Sequence, residues 1–246
     1  YHYPNDLKNG KVKRFYQNKL IEEYNLVAGE LHGIAIINYR TDKIYAKIPY
    51  TFGLKNGIAE YYDRNGELLT KCEFKFGKKI GKHEKYSLDN ELENVEYYDE
   101  NGNKTGTWIK YNYDKKYIET TYNTDGSYKT TTYDNNENIK SISNYNANNS
   151  NTGVTQNFNN GILESEIYKV GHTTKWSKMY YENGKVFSTE TKKGENFERE
   201  FFDKEGKTKL AAIAGNGGNI RIVSSSILSP STKKVIADFT AKYPTT

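Results

Sequence analysis

Two glycines four residues apart recur along this chain at a fixed interval, and that interval limits the architecture more than any other feature. Gly29, Gly53 and Gly77 stand 24 residues apart, as do Gly33, Gly57 and Gly81. Asp42, Gly66 and Asn90 hold the same interval between the doublets and mark a second turn. Residues 53–81, GLKNGIAEYYDRNGELLTKCEFKFGKKIG, show the whole plan. A doublet is followed by an aromatic pair (Tyr61, Tyr62), a turn at Asn65-Gly66, and an alternating return to the next doublet. Asn-Gly between alternating segments is the strongest short hairpin signal. Gaps of 11 and 13 residues leave room for two strands of about seven or eight residues, a usual strand length. The period predicts tandem β-hairpins.

Composition says what kind of sheet this is. Only 35% of residues are hydrophobic, and 23 Tyr stand against 2 Trp and 1 Met. Burial must come from Tyr and Phe rings and β-branched side chains, which suits a thin sheet wet on at least one side. The 36 basic and 31 acidic residues interleave, for a formal charge of +5. The densest basic stretch, Lys75 to Lys85, also carries Glu84. A nucleic-acid binder gathers its basic residues into a stripe, so no nucleic-acid partner is expected. A single cysteine, Cys72, excludes an internal disulfide and any multi-cysteine metal site. It alternates in phase with Leu68, Thr70, Phe74 and Phe76 and reads as a buried, inert thiol. No run approaches the roughly 18 apolar residues that cross a bilayer as a helix, so no transmembrane segment is expected. The first residue is Tyr1 rather than Met, which fits a processed chain that has lost a signal peptide. The expected location is secreted or at the cell envelope, with the cytoplasm left open.

The pattern drifts by one residue at Gly102 and Gly106, ahead of TWIKY, and loosens over residues 127–160, where asparagines crowd the turns. That stretch is either a set of imperfect repeats or a loop interrupting the sheet. GVTQNF followed by Asn160-Gly161 favours imperfect repeats. Regularity returns at Gly171, with Tyr180-Tyr181 and Asn183-Gly184, and a last unit runs from Gly194 to Gly206. Residues 1–206 thus read as the repeat array and 207–246 as a cap. The cap begins as a hairpin over AAIAGNGGNIRIVSSSIL, then Ser229 and Pro230 open a short C-terminal helix. Val235, Ile236, Phe239 and Tyr243 share its inner face and Pro244 stops it. Repeat arrays need atypical ends to cover an open edge.

The units GELHGIAIINY, GLKNGIAEYYDRNG, GKKIGKHEKY, GNKTGTWIKY and VGHTTKWSKMYYENGKV resemble the MORN repeat, in the variant common in bacterial proteins. The resemblance covers roughly residues 5–206 and is strongest over 29–112 and 168–206. His32-Gly33 matches the family's His-Gly, whereas Asn56-Gly57 and Ile80-Gly81 lack the histidine. The resemblance implies an all-β fold, an elongated single-layer antiparallel sheet of hairpins. It also implies a largely non-catalytic role, as a scaffold, a dimerising rod, or a module that meets membranes or lipid head groups.

Candidate binding residues are the aromatics at fixed repeat positions: Tyr62, Tyr86, Tyr98, Trp108, Tyr111, Trp176, Tyr180 and Tyr181. They read either as stacking platforms and partner anchors or as the rings that pack one hairpin on the next, and their fixed phase favours packing. Trp108 and Trp176 are the two to set apart, because Trp is so scarce. His2, His32, His83 and His172 lie far apart in sequence near different turns and make no metal motif. They read as solvated or turn-packing residues, and no metal or cofactor is expected. No Gly-x-Ser-x-Gly elbow is present. AGNGGN, residues 214–219, lacks the Lys-Ser/Thr of a phosphate loop. The acidic pairs Glu22-Glu23 and Asp99-Glu100 have no evident cleft between them. The expectation is a non-enzymatic scaffold for an unknown protein partner at the bacterial envelope or outside the cell, or else a binder of glycan or lipid head groups there. Choline-binding wall repeats share the Gly, Tyr-Tyr and Asp-Gly spacing but need more Trp, and the YD repeats of large toxins share motifs like TYDNNE, whereas the glycine doublet at period 24 resembles the MORN pattern more closely.

Overall fold

The computed structural model describes residues 8–147, 149–214 and 220–223. The chain forms two compact units, Tyr1–Thr124 and Asp125–Thr246. Each is an antiparallel meander in which strands pair with their neighbours in sequence. The expected C-terminal helix lies outside the described residues.

The first unit opens with β1 (Gly10–Tyr16), β2 (Lys19–Val27), the short β3 (Glu30–Leu31), β4 (Gly33–Asn38) and β5 (Ile44–Thr51). It continues through the short β6 (Leu54–Lys55), β7 (Gly57–Tyr62), β8 (Leu68–Lys75) and β9 (Lys78–Tyr86). It ends with β10 (Leu92–Tyr98), β11 (Gly106–Asn112) and β12 (Lys115–Tyr122). Residues paired across strands share a face, so the register fixes what each face carries. One row reads Glu23, Ile36, Lys47, Glu60, Lys71, Glu84, Val95, Ile109 and Glu119. Its central stretch alternates Lys and Glu, which keeps that face wet. The opposite face carries Ala59, Cys72, His83 and Glu96 in one row and Ile37, Ala46, Tyr61 and Thr70 in the next. Here lies the core: Ala46, Ile48 and Ala59 are buried, with Ile37, Tyr50, Tyr61 and Phe74 folded over them. Among the described residues no large side chain is fully buried. This is the thin, half-wet sheet that the Tyr-rich composition predicts.

Two turn chemistries join the strands. At the wider tips an aspartate holds the loop by accepting backbone N–H bonds. Asp63 takes them from Asn65, Gly66 and Glu67, each at 2.8 Å, and Asp99, Asp134 and Asp203 repeat the device. Burial works to raise the Asp63 pKa, but these bonds outweigh it and hold the carboxyl below its ordinary value. At the narrow tips two residues with positive φ close a hairpin, as at Ala28-Gly29, Phe52-Gly53 and Phe76-Gly77.

The second unit comprises β13 (Tyr128–Tyr133), β14 (Ile139–Asn146), β15 (Asn149–Asn159), β16 (Ile162–Val170) and β17 (Thr173–Tyr180). Then follow β18 (Val186–Lys193), β19 (Asn196–Phe202), β20 (Thr208–Ala214) and β21 (Ile220–Val223). The loose stretch 127–160 is thus built of paired strands and not of an interrupting loop. The pairing of β20 with β21 supplies the backbone of the hairpin expected in the tail.

Two local expectations are corrected. Phe76 does not share the buried phase of Cys72: β8 ends at Lys75, and Phe76 stands in the turn, 58% exposed. His83 is neither solvated nor turn-packed. It is 4% exposed, beneath the Phe74 and Tyr98 rings, and its Nε2 lies 3.0 Å from the Glu73 carbonyl and 3.1 Å from that of Ile80. Burial, opposed by these carbonyl contacts, holds its pKa below the ordinary histidine value.

Candidate functional site

The glycine doublets explain where most of the aromatic residues go. The second glycine of each doublet sits directly opposite a ring: Gly33 faces Tyr50, Gly57 faces Phe74, Gly81 faces Tyr98 and Gly106 faces Tyr122. These rings are themselves 24 residues apart. Opposed to a glycine, each ring has no Cβ facing it across the pair, while the side chains nearest the glycines are those of Asn25, Pro49, Glu73 and Tyr97. From Phe74 onward the rings meet edge to face or tilted through His83, Tyr98, Trp108 and Tyr122, with centroids 5.0–5.8 Å apart. Lys55, Lys79 and Lys104 come from the same place in three doublets and lay their ammonium groups over these rings. Lys55 covers Tyr61 and Phe74, Lys79 covers Tyr98, and Lys104 covers Trp108 and Tyr122.

Trp108 is a rung of this ladder. Its Nε1 donates to the Tyr97 carbonyl at 2.9 Å, and Tyr97 stands 24 residues beyond Glu73, whose carbonyl faces His83. Trp108 and His83 therefore fill one repeat position in two ways. Trp176, in the second unit, leans on Tyr168 at 5.8 Å with Lys178 over its ring. Tyr62 donates to Glu60 at 2.7 Å and lies under Lys47; burial, then that bond, pushes its pKa up to about 12. Tyr86 is half-buried opposite Leu92. Tyr180 donates to Glu166 at 2.5 Å.

Three of the sequence-selected residues lie in concavities, one in the first unit and two in the second. In the first unit Tyr111 joins Tyr113 and Tyr117 around a groove of about 540 Å³, bordered by Asp89, Glu91 and Glu93. Tyr113 is 83% exposed in a narrow turn at φ 49°. In the second unit Tyr180 lines a cavity of about 440 Å³ with Met179, Tyr181 and Phe187. The hydroxyl of Tyr181 reaches past it to donate to the Phe202 carbonyl at 2.9 Å.

A further group of exposed apolar residues lies at the narrow-turn end of the first unit. Phe52 and Phe76 each occupy the first place of a two-residue turn, at φ 46°, and are 59% and 58% exposed. Ile34, Leu54 and Ile58 are exposed within a few residues of the same turns. A bulky side chain at positive φ is an outlier that costs about 1 kcal/mol or more; Asn or Gly would sit there at ease. Successive hairpins stand two strand spacings apart, so the two rings are about 10 Å from one another along the rim. Exposed apolar groups gathered in this way mark interaction sites. Sequence reasoning passed over Phe52 and placed Phe76 in the buried phase of Cys72. The readable signal was a Phe-Gly turn where Asn-Gly is ordinary, as at Asn160-Gly161.

No group of three His, Cys, Asp or Glu placed to hold a metal occurs among the described residues. No helix there is long and apolar enough to cross a membrane, which says nothing of membrane barrels.

Residues 55–76 and 177–191 match the family model described as the MORN repeat variant. One match falls in each unit. No curated protein matches the chain. Among solved structures, a chain of the GtfA/B complex bound to UDP and GlcNAc is similar at 17% identity over 45% of this chain and 22% of that one, with a TM-score of 0.22. A chain of the TcdB2-TccC3-Cdc42 structure is similar at 10% identity over 89% of this chain and 15% of that one, with a TM-score of 0.21. This chain thus spans under a quarter of either neighbour, and likenesses this slight do not bear on what it does.

Proposed function

Since the chain carries MORN-variant repeats in both of its units, we propose that it is a non-catalytic scaffold that binds a partner protein along the rim of Phe52 and Phe76. The observation behind this reading is the pairing of exposure with strain: two rings held in water, at a backbone conformation better served by Asn, 24 residues apart. Strain at an exposed position fits a binding role, and large aromatics dominate interface hot spots. The repeat adds reach, because repeated modules extend one surface for distributed contacts.

The test uses the paired substitution Phe52→Asn and Phe76→Asn. Asn suits positive φ, so the variant folds with an unfolding temperature at or above that of the parent. Capture of the partner from source-cell lysate should fall sharply. Equal capture by parent and variant would sink the reading. The proposal includes a place at the bacterial cell envelope or outside the cell, checked by fractionating source cells with an antibody to the chain; a purely cytoplasmic pool would overturn that part.

A second reading rests on the groove of Tyr111, Tyr113 and Tyr117. Exposed tyrosine faces stack on the apolar faces of sugar rings, and the adjoining Asp89, Glu91 and Glu93 accept hydroxyl hydrogen bonds. A glycan of the envelope is the ligand it fits. Cosedimentation with cell-wall polysaccharide that is unchanged by Tyr113→Ala would remove it.

A further inference from the structure

His83 Nδ1 and Asn94 Oδ1 are buried side-chain atoms with no hydrogen-bond partner. Both residues line one cavity of about 170 Å³, and so does Cys72, the one thiol of the chain. Both atoms are acceptors. His83 Nε2 faces two carbonyls, so it carries the ring proton and Nδ1 presents a lone pair. Asn94 donates through Nδ2 to Glu96 at 2.9 Å, which fixes the amide and leaves Oδ1 facing away from that bond. Buried polar atoms without partners are costly and call for an explanation, an ion or a water among them.

The register adds the third donor. Cys72 lies directly opposite His83 across β8 and β9, and opposed side chains on one face have Cβ atoms about 4.5–5.5 Å apart. A cation at about 2.3 Å from a sulfur and about 2.0 Å from an imidazole nitrogen spans that gap. We propose that Cys72 Sγ and His83 Nδ1, with Asn94 Oδ1 as a weaker third donor, bind one soft monovalent cation of the Cu(I) class.

The choice of ion follows from the donors. Thiolate and imidazole favour soft ions, whereas Mg²⁺ and Ca²⁺ take six or more oxygens and structural zinc takes four strong ligands. Glu96 is not a spare ligand, because it already accepts from Asn94 and from Tyr98 at 2.7 Å. Lys79 also lines the cavity, yet binding need not add charge beside it. The cation replaces the thiol proton, which leaves to solvent, so one positive charge enters as one departs. The Phe74 and Tyr98 rings flank the imidazole at 5.8 and 5.0 Å and shield that side of the site from water.

The experiment titrates the full-length reduced chain with Ag(I), as an air-stable probe, and with Cu(I) under reductant against a competing chromophoric chelator. Retention of one equivalent is expected, with the ring signals of His83 shifting in the NMR spectrum on Ag(I) binding. Cys72→Ala keeps the fold, because Ala59 already occupies the facing position. That variant should lose the ion by more than the roughly 10–100-fold that removal of an outer-shell partner costs. His32→Ala should bind as the parent does. Release of the ion by the parent to the chelator, undiminished retention by Cys72→Ala, or binding that leaves the His83 signals unmoved would each overturn the proposal. The occupant would then be a single water donating one O–H to Nδ1 and the other to Oδ1.

Discussion

The two units share a meander but fill it differently. In the first, small residues sit among rings: Ala35, Ala46, Ala59 and Cys72 are buried, and Tyr50, Phe74, Tyr98 and Tyr122 stand opposite glycines. In the second, the buried positions include Thr131, Ser143, Thr152 and Ser188. There the opposed pairs are joined by hydroxyls and amides: Thr132 to Ser141 at 2.7 Å, Ser143 to Thr155 at 2.9 Å and Asn157 to Ser165 at 3.0 Å. Its glycine in strand, Gly153, stands between Tyr145 on one neighbouring strand and Lys169 on the other. One backbone plan thus tolerates a ring-ladder solution and a hydroxyl-ladder solution. Rings remove apolar area from water, whereas hydrogen-bonded pairs contribute only about 1 kcal/mol each, net of their bonds to water.

That contrast is open to attack at several points. Trp108→Ala should do the most harm, about 3 kcal/mol, at the low end for a large aromatic because the ring is half-buried. Hydrogen exchange should place the loss in β10–β12; an unchanged unfolding midpoint would show that the ladder is not what stabilises the first unit. Gly153→Ala should cost about 2 kcal/mol by overpacking, since a Cβ there would meet the Asn144 carbonyl oxygen at 1.8 Å. Gly184→Ala, with open space at its Cβ, should suffer only from its positive φ, and equal effects at the two sites would refute the close approach. Ser143→Ala should cost about 1 kcal/mol by leaving Thr155 without its bond, measured by urea unfolding. If Ser143→Val proved as stable as the parent, the hydroxyl ladder would be replaceable by apolar contact.

The smallest effect is one of pH. His83 has its pKa lowered by burial, so the unfolded chain binds a proton below the ordinary histidine range near 6.5 that the folded chain refuses. Stability is therefore full above that range and declines as pH falls through it toward the lowered value. His83→Gln should flatten this slope in urea titrations between about pH 7 and pH 5. A slope unchanged in the variant would assign it to other groups.

Much of the first unit was legible because its rules are local. The Asn65-Gly66 tip, the doublets and the 24-residue interval all lie within a few neighbouring residues. The partner of each second glycine was not legible, since Phe74 and Gly57 meet only once the register is known. The same holds for His83: in sequence it stands two residues after a turn glycine, and only the pairing sets it beneath two rings. Hydroxyl pairs such as Ser143 with Thr155 carry no periodic hydrophobic signal at all, which is why 127–160 read as loose. Of the selected aromatics, Trp108 proved to be a ladder rung, while Tyr111 and Tyr180 line concavities. Phe76 was assigned to the buried phase of Cys72 because the alternation runs on past Lys75, where the strand ends, and Phe52 carries no alternation signal of its own.

The lysine that rises from three of the first unit's doublets to cover the next ring has a consequence for how such a chain can change its length. Lys55 reaches Phe74 and Lys79 reaches Tyr98, so each of these steps is tied to the strand pair that follows it. Copying or deleting a whole block of 24 residues would restore the same contacts at the new joint. A cut far from that size would leave a lysine without its ring, while the 25-residue step from Lys79 to Lys104 shows that a drift of one is absorbed. Length in the first unit is a quantised property, and the chain carries its own ruler.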